Sequence, residues 1–472
     1  MTQLSFLLDW ESIEQRLIES LRSKQESTNQ EVRRLFASEP AILLRNWYGQ
    51  LALLLPCGKQ ELERSVARSF LEGLRDDVGA LALPQWLVCR DELFGAEQYW
   101  REPKLIDLLS PGQSDTYPAL KLLERQDKEG EWLHTPSALD FDVKGKAKRC
   151  VFYGIKGGVG RSTALVMLSI GLAKQGKKVL VLDGDFESPG LSSSLLPRDE
   201  GQPDYGIVDW LTAQALGADQ HVLADMARRN IVEASPLNAA LELKGQILVC
   251  PAYGKLTQTY VLKLGRLYRT TSDGLSYAQR LQLFIQTIEN AHAPDIILFD
   301  SRAGIDDTAA VALTQLQADV SFLFAINTAQ TWDSYSLLFK HWRRNPALFR
   351  NSADSQETYS VRQTLRVVAA LSPQVAIAPD YFDSLVDNAY DCFQSIYDDD
   401  SEGEGAGYSP APGQADAPHA ALRIGTTDDL RAFDPLKKPS QVTDAQNIAA
   451  FSDFLIQAQQ LLAEPFQVTS HE

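Results

Sequence analysis

Residues 154–163 read Gly-Ile-Lys-Gly-Gly-Val-Gly-Arg-Ser-Thr, directly after the apolar run Cys150-Val-Phe-Tyr153 and directly before a helical pattern. Glycines at 157, 158 and 160 let successive backbone N–H groups converge on one anion, and the helix start adds the positive end of its dipole. Lys156 and Arg161 supply cations, and the hydroxyls of Ser162 and Thr163 follow at once. Such a loop cradles phosphates, with the hydroxyl of Ser162 placed to ligate Mg2+. Its chemistry is that of nucleoside triphosphate binding. The alternative, a plain glycine turn between strand and helix, leaves the cations and hydroxyls without a role.

Two carboxylate clusters accompany the loop. The run Val179-Leu-Val-Leu-Asp-Gly-Asp places Asp183 and Asp185 at the carboxyl end of a strand, where doubly wound sheets bind ligands. In Asp295-Ile-Ile-Leu-Phe-Asp300, four apolar residues precede Asp300, which is expected to accept from Ser162 or from Mg2+-bound water. Aspartates are also common in turns, which is the bland reading of the first pair.

Taken together, Lys156-Gly-Gly-Val-Gly-Arg161-Ser162, the Asp183-x-Asp185 pair and Asp300-Ser-Arg-Ala-Gly304 resemble the ParA/MinD family of deviant Walker A ATPases. The resemblance spans about Cys150 to the C-terminus. It implies ATP and Mg2+ as ligands and phosphate binding by Lys156, Gly157, Gly158, Val159, Gly160, Arg161, Ser162 and Thr163. It further implies metal binding by Ser162, Asp183 and Asp300, and catalytic roles for Asp185, Lys156 and Arg161. In that family the first lysine, here Lys156, reaches across a nucleotide-sandwiched homodimer. Two departures stand out. Arg161 replaces the second lysine, keeping the charge in a bulkier, planar fork, so that phosphate binding is expected and efficient turnover is the open point. Arg302 replaces a proline, and either senses the terminal phosphate or pairs with Asp306. The arginine motif is similar to a branch of ParA-like proteins associated with bacterial conflict and anti-phage operons. No adenine-reading side chain stands out, which leaves residues around Pro373 or Ile424 to Asp428 as the alternatives. The guanine-reading Asn-Lys-x-Asp is absent, which tilts the choice toward ATP.

The elements that must position these groups follow from periodicity. From Cys150 onward, apolar runs alternate with amphipathic segments, predicting an α/β, doubly wound, mostly parallel sheet. Strands are expected at 150–153, 179–182, 247–250, 296–299, 320–326 and 365–371. Helices are expected at 161–175, 277–291 and 331–343, with a final helix carrying Ile448, Phe451 and Leu455. Ahead of this unit, Ile13, Leu17, Leu21, then Leu43, Trp47, Leu51, then Leu62, Val66, Phe70 recur at helical spacing. They predict a helical N-terminal domain with its linker over residues 1–145, and a nucleotide-binding domain over 146–472. Residues 397–420, acidic and rich in Gly and Pro, are expected as a flexible loop.

Composition narrows the partners. The chain has 472 residues, and 62 acidic residues against 45 Lys and Arg give a net charge of -17, which disfavours nucleic acid and anionic lipid. The basic stretches Lys340 to Arg344 and Lys255 to Arg269 are read first as solvated faces. The five cysteines form no metal pattern, no run is long and apolar enough to span a bilayer, and a cytoplasmic setting is expected. The expected function is therefore an ATP-hydrolysing, Mg2+-dependent dimerisation switch that signals to a partner protein through its N-terminal domain. The alternatives are a non-hydrolysing nucleotide-binding adaptor in a conflict or anti-phage system, and a DNA-partitioning ATPase.

Overall fold

Two strands of the first unit, Ala41–Arg45 (β1) and Leu51–Leu55 (β2), are aliphatic throughout but for the closing Arg45, and almost every residue in them is buried. In the computed structural model they lie in a five-stranded mixed sheet of order β3-β2-β1-β5-β4, with β3 at Ala82–Cys89, β4 at Ile106–Leu109 and β5 at Leu120–Glu124. The structure describes residues 10–22, 26–46, 49–102, 105–109, 119–125, 131–133, 147–198, 201–268, 271, 275–345, 348–349, 360–374, 376–398 and 408–463.

An all-helical first domain is thus corrected to a mixed one. Ile13, Leu17 and Leu21 do share the buried stripe of a helix, Trp10–Arg22. Leu43 and Leu51 belong instead to antiparallel neighbours, with Leu43 opposite Leu53 and Arg45 opposite Leu51. Trp47 lies outside the described residues. A strand buried on both faces has no period-2 alternation, so its apolar residues also satisfy a helical spacing. Pro84 sits in β3, an edge strand, where a missing N–H does no harm to the ladder.

The chain divides into Met1–Gly130 and Glu131–Glu472, ahead of the expected position near 145. The short turn Glu131–Leu133 belongs to the second unit because Trp132 packs edge-on against Tyr153 and beside Trp342.

In that second unit the expected runs become strands at Lys148–Gly154 (β6), Lys178–Gly184 (β7), Gln246–Cys250 (β9), Ile296–Ser301 (β10), Val320–Ala325 (β11) and Leu365–Ser372 (β12). Two short strands join them, Glu233–Ala234 (β8) and Leu422–Gly425 (β13). The order is β13-β12-β11-β6-β10-β7-β9-β8, and every neighbouring pair is parallel except β8 with β9. Alternate residues of β6 feed two cores: Val151 and Tyr153 face one, Cys150 and Phe152 the other. The first core is covered by helices Tyr277–His292, Ala329–Trp342 and Tyr381–Phe393, the second by Arg161–Lys174 and Ala445–Ala463. With both faces covered, the carboxyl edge of the sheet is where loops gather.

The acidic stretch 399–407 lies outside the described residues, but its expected flanks do not behave as a loose loop. Arg362 holds Asp398 at 2.7 Å, the Tyr408 N–H donates to the same carboxylate, and buried His419 hydrogen-bonds the Tyr397 hydroxyl at 2.7 Å.

Candidate functional site

β6 delivers the chain to its carboxyl end at Gly154, and the helix Arg161–Lys174 starts after the intervening residues 155–160. Between them Gly158 and Gly160 take φ of +75° and +79°, the left-handed region that favours glycine. A Cβ at Gly157 or Gly158 would meet nothing within 4 Å, so this part of the loop faces open space with its amides unshielded. Val159 points the other way and is buried in the core. Lys156 lies along the loop with its ammonium 3.3 Å from the Thr328 hydroxyl, which caps the helix Ala329–Trp342.

The first turn of the helix then meets the carboxylates. Arg161 is buried, donating from Nε to Asp300 Oδ1 at 2.7 Å and from Nη2 to Asp185 Oδ2 at 3.1 Å. Ser162 Oγ donates to the other Asp300 oxygen at 2.6 Å. This bridge is possible because β10 lies between β6 and β7, in register Asp300 opposite Asp183. Asp183 is fully buried; its Oδ2 accepts from the Ser192 N–H at 3.1 Å, while Oδ1 has no hydrogen-bond partner. Thr163 is half-buried on the same turn.

The electrostatics follow from this crowding. Burial, reinforced by the nearby Asp300 charge, pushes the Asp183 carboxyl up to about 7. Burial also raises Asp185, against the pull of Arg161. For Arg161 itself burial disfavours the cation, and the Asp300 and Asp185 charges more than offset that. The guanidinium is the internal counter-ion of two carboxylates, Asp300 and Asp185.

Around this centre the loops that follow β7 and β10 are tied together. Arg302 bonds Glu187 at 2.9 Å, two residues past Asp185, and approaches Asp306 only at 3.7 Å. The pairing expected with Asp306 is thus secondary to one with Glu187, and Asp306 caps the helix Asp307–Thr314. Tyr153 donates to the Gly304 carbonyl at 3.1 Å, and the Gly304 N–H donates to the Gly154 carbonyl at 3.0 Å, fastening the segment after β10 to the end of β6. Tyr260 donates to the Phe186 carbonyl at 2.8 Å from the helix Tyr260–Leu267. Sequence reasoning missed Glu187, Tyr153 and Tyr260, since partners so far apart in the chain leave no local pattern.

The two alternatives for the base lie beside one another. The Thr426 N–H donates to the Ser372 carbonyl at 3.1 Å, Arg423 donates to the Pro373 carbonyl at 2.9 Å, and the Thr427 hydroxyl is buried without a partner. Leu371, at φ +52°, leans to within 3.8 Å of where a Cβ on Gly160 would stand. Of the basic stretches, Lys255 pairs with Asp204 and Lys263 with Asp209, while Trp332 and Trp342 are core residues.

Among the described residues no group of three or more His, Cys, Asp or Glu side chains is arranged to hold an ion unaided. Mg2+ bound beside phosphates needs no such cage, because one or two carboxylates, phosphate oxygens and water complete its octahedron. The unpartnered Asp183 oxygen and the open glycine loop fit that pattern.

Comparison with known proteins gives a match over residues 147–234 to a family described as an AAA domain. No functionally curated protein matches the chain. Solved structures similar to it include a pNOB8 ParA bound to nonspecific DNA, 15% identical, covering 67% of this chain and 97% of its own with a TM-score of 0.40. A ParA family ATPase from Chlorobium tepidum TLS is 15% identical over 66% of this chain and 98% of its own, TM-score 0.40. A MinC:MinD cell division complex from Aquifex aeolicus is 16% identical over 69% and 100%, TM-score 0.38. The family match falls on residues 147–234, the stretch that holds the glycine loop, Arg161, Ser162, Asp183 and Asp185.

Proposed function

We propose that the second unit binds Mg2+-ATP and hydrolyses it slowly, that nucleotide occupancy closes a homodimer, and that the first unit passes this state to a partner protein. The observation that carries the reading is the convergence of Arg161, Ser162, Asp183, Asp185 and Asp300 beside an open glycine loop. In this reading the amides of residues 157–160 hold the phosphates, while Ser162, Asp300 and Asp183 hold the metal. Bound there, Mg2+ would neutralise phosphate charge as the terminal group is lost. Asp185 orients the attacking water and accepts its proton, a role its raised affinity for protons favours. Arg161 exchanges carboxylates for phosphate oxygens, and Lys156 leaves Thr328 for the nucleotide of a second copy. Calorimetric titration of the full chain with ATP and Mg2+ tests the first step: saturable heat is expected, and its absence with both ATP and ADP would remove the proposal.

A second reading is a nucleotide-binding adaptor without turnover. It is favoured by the Arg161 guanidinium, which spends its donors on Asp300 and Asp185. Phosphate release by the wild type, compared with Asp185→Ala, separates the two. Equal, background-level release in both proteins selects the adaptor.

A further inference from the structure

We infer that Glu187 and Arg302 are positioning residues for Asp185, their ion pair clasping the loop after β7 to the loop after β10 beside the glycine loop. The two strands are parallel neighbours whose register runs to Ser301 opposite Gly184. Asp185 and Arg302 are the next residues on each, so the ladder stops where the chemistry begins. Beyond that point side chains must hold the loops together. Arg302 Nη1 meets Glu187 Oε1 at 2.9 Å, and the loop carrying Arg302 is itself fixed to the end of β6, the Gly304 N–H donating to the Gly154 carbonyl.

Glu187 is held ready for that guanidinium. The Tyr268 hydroxyl donates to the same Oε1 at 2.5 Å, and Tyr268 packs edge-on against buried Tyr277 at 5.2 Å. Burial raises the pKa of the Tyr268 hydroxyl, which keeps it protonated and donating. The other Glu187 oxygen is buried without a partner, so water does not compete for the carboxylate from that side. Phe186, between Asp185 and Glu187, is fully buried, and its carbonyl accepts from Tyr260 at 2.8 Å. The Ser188 N–H donates back to the Asp185 carbonyl at 3.1 Å, closing the turn.

The inference rests on the Mg2+-ATP reading for what Asp185 does. Arg161 holds the Asp185 carboxylate at 3.1 Å, yet on that reading its guanidinium turns to phosphate oxygens. Asp185 then keeps its place through the turn that follows it, which the Glu187–Arg302 pair fastens to β10. An ion pair whose side chains are 33% and 25% exposed adds little to folding stability. Displacing a reacting group by about 1 Å, by contrast, costs on the order of 100-fold in rate. The clasp therefore shows in turnover more than in folding.

The test compares the full-length wild type with Arg302→Met, Arg302→Lys and Glu187→Gln, measuring Mg2+-ATP affinity by calorimetry and phosphate release at saturating ATP. Arg302→Met and Glu187→Gln are expected to slow release at least about tenfold while affinity stays within about twofold. Arg302→Lys, which keeps the cation, recovers most of the rate. The double variant Glu187→Gln/Arg302→Met is expected to be no slower than the slower single, because both changes remove one interaction. Hydrogen exchange of the protein without nucleotide supplies a second readout: in Arg302→Met the amides of residues 186–190 exchange faster, and those of β7 keep the wild-type rate. Release by Arg302→Met equal to that of an active wild type overturns the positioning role and leaves the hydrolytic reading standing, as does unchanged exchange at 186–190. A fall in rate matched by a fall in affinity overturns it too, because that is a binding role. A wild type that releases no phosphate overturns the hydrolytic reading and the positioning role with it.

Discussion

At Arg161 one side chain neutralises two carboxylates whose side chains are 2% and 15% exposed. Removing one partner of a buried pair leaves the other charge uncompensated and costs about 3–5 kcal/mol. Arg161→Ala is therefore expected to lower the unfolding free energy read from a urea transition by that much, with Arg161→Lys recovering part of it; an unchanged transition would show that water compensates Asp300. Asp183 gives a second prediction. An unfolded aspartate titrates near 3.9, whereas this one is pushed up to about 7. Between those values the folded chain holds a proton that the unfolded chain has lost. Stability from this group is thus complete below about pH 4 and is lost as pH rises through about 7. Asp183→Asn should flatten that slope, matching wild type near pH 4 and exceeding it above about pH 8. A slope that persists in the variant would place the titration elsewhere.

Elements were legible where pattern and chemistry coincided. The loop at 154–163, Asp183 and Asp300 lie at ends of strands whose apolar runs are bounded by polar residues, so both strand and site could be read together. β1 and β2 were not, because burial on both faces removes the alternation that distinguishes strand from helix. The Arg302–Glu187 bridge escaped because register, not sequence, makes its two loops neighbours. Gly158 illustrates what the element demands of one residue. Its φ of +75° would cost alanine about 1–2 kcal/mol, though the added methyl would touch nothing. That methyl would stand on the face offered to phosphate, so Gly158→Ala should weaken ATP binding at least about tenfold, or 1.4 kcal/mol, while unfolding only slightly earlier. Calorimetry and thermal melting on the same sample would separate the two effects.

For the whole molecule, a net charge of -17 opposes any close approach of two copies unless cations bridge them. Lys156 beside the capped helix start at Thr328 is a cation at the positive end of a dipole, an arrangement that an arriving anion would readily undo. Light scattering should show the mass doubling with Mg2+-ATP in the wild type and remaining monomeric in Lys156→Ala. A variant that still dimerises would remove the trans role from that lysine. The same charge predicts that higher salt strengthens the dimer by screening.

The margins of the larger sheet have their own consequence. It ends in strands of two and four residues, β8 and β13, with β8 running against its neighbour. Edges so short offer a passing chain few free backbone groups to pair with, which is how natural proteins avoid templated aggregation. Growth by adding strands is thereby discouraged at both margins, so copies of this chain that meet are steered to recognise each other through side chains and loops, where a small ligand can decide the outcome.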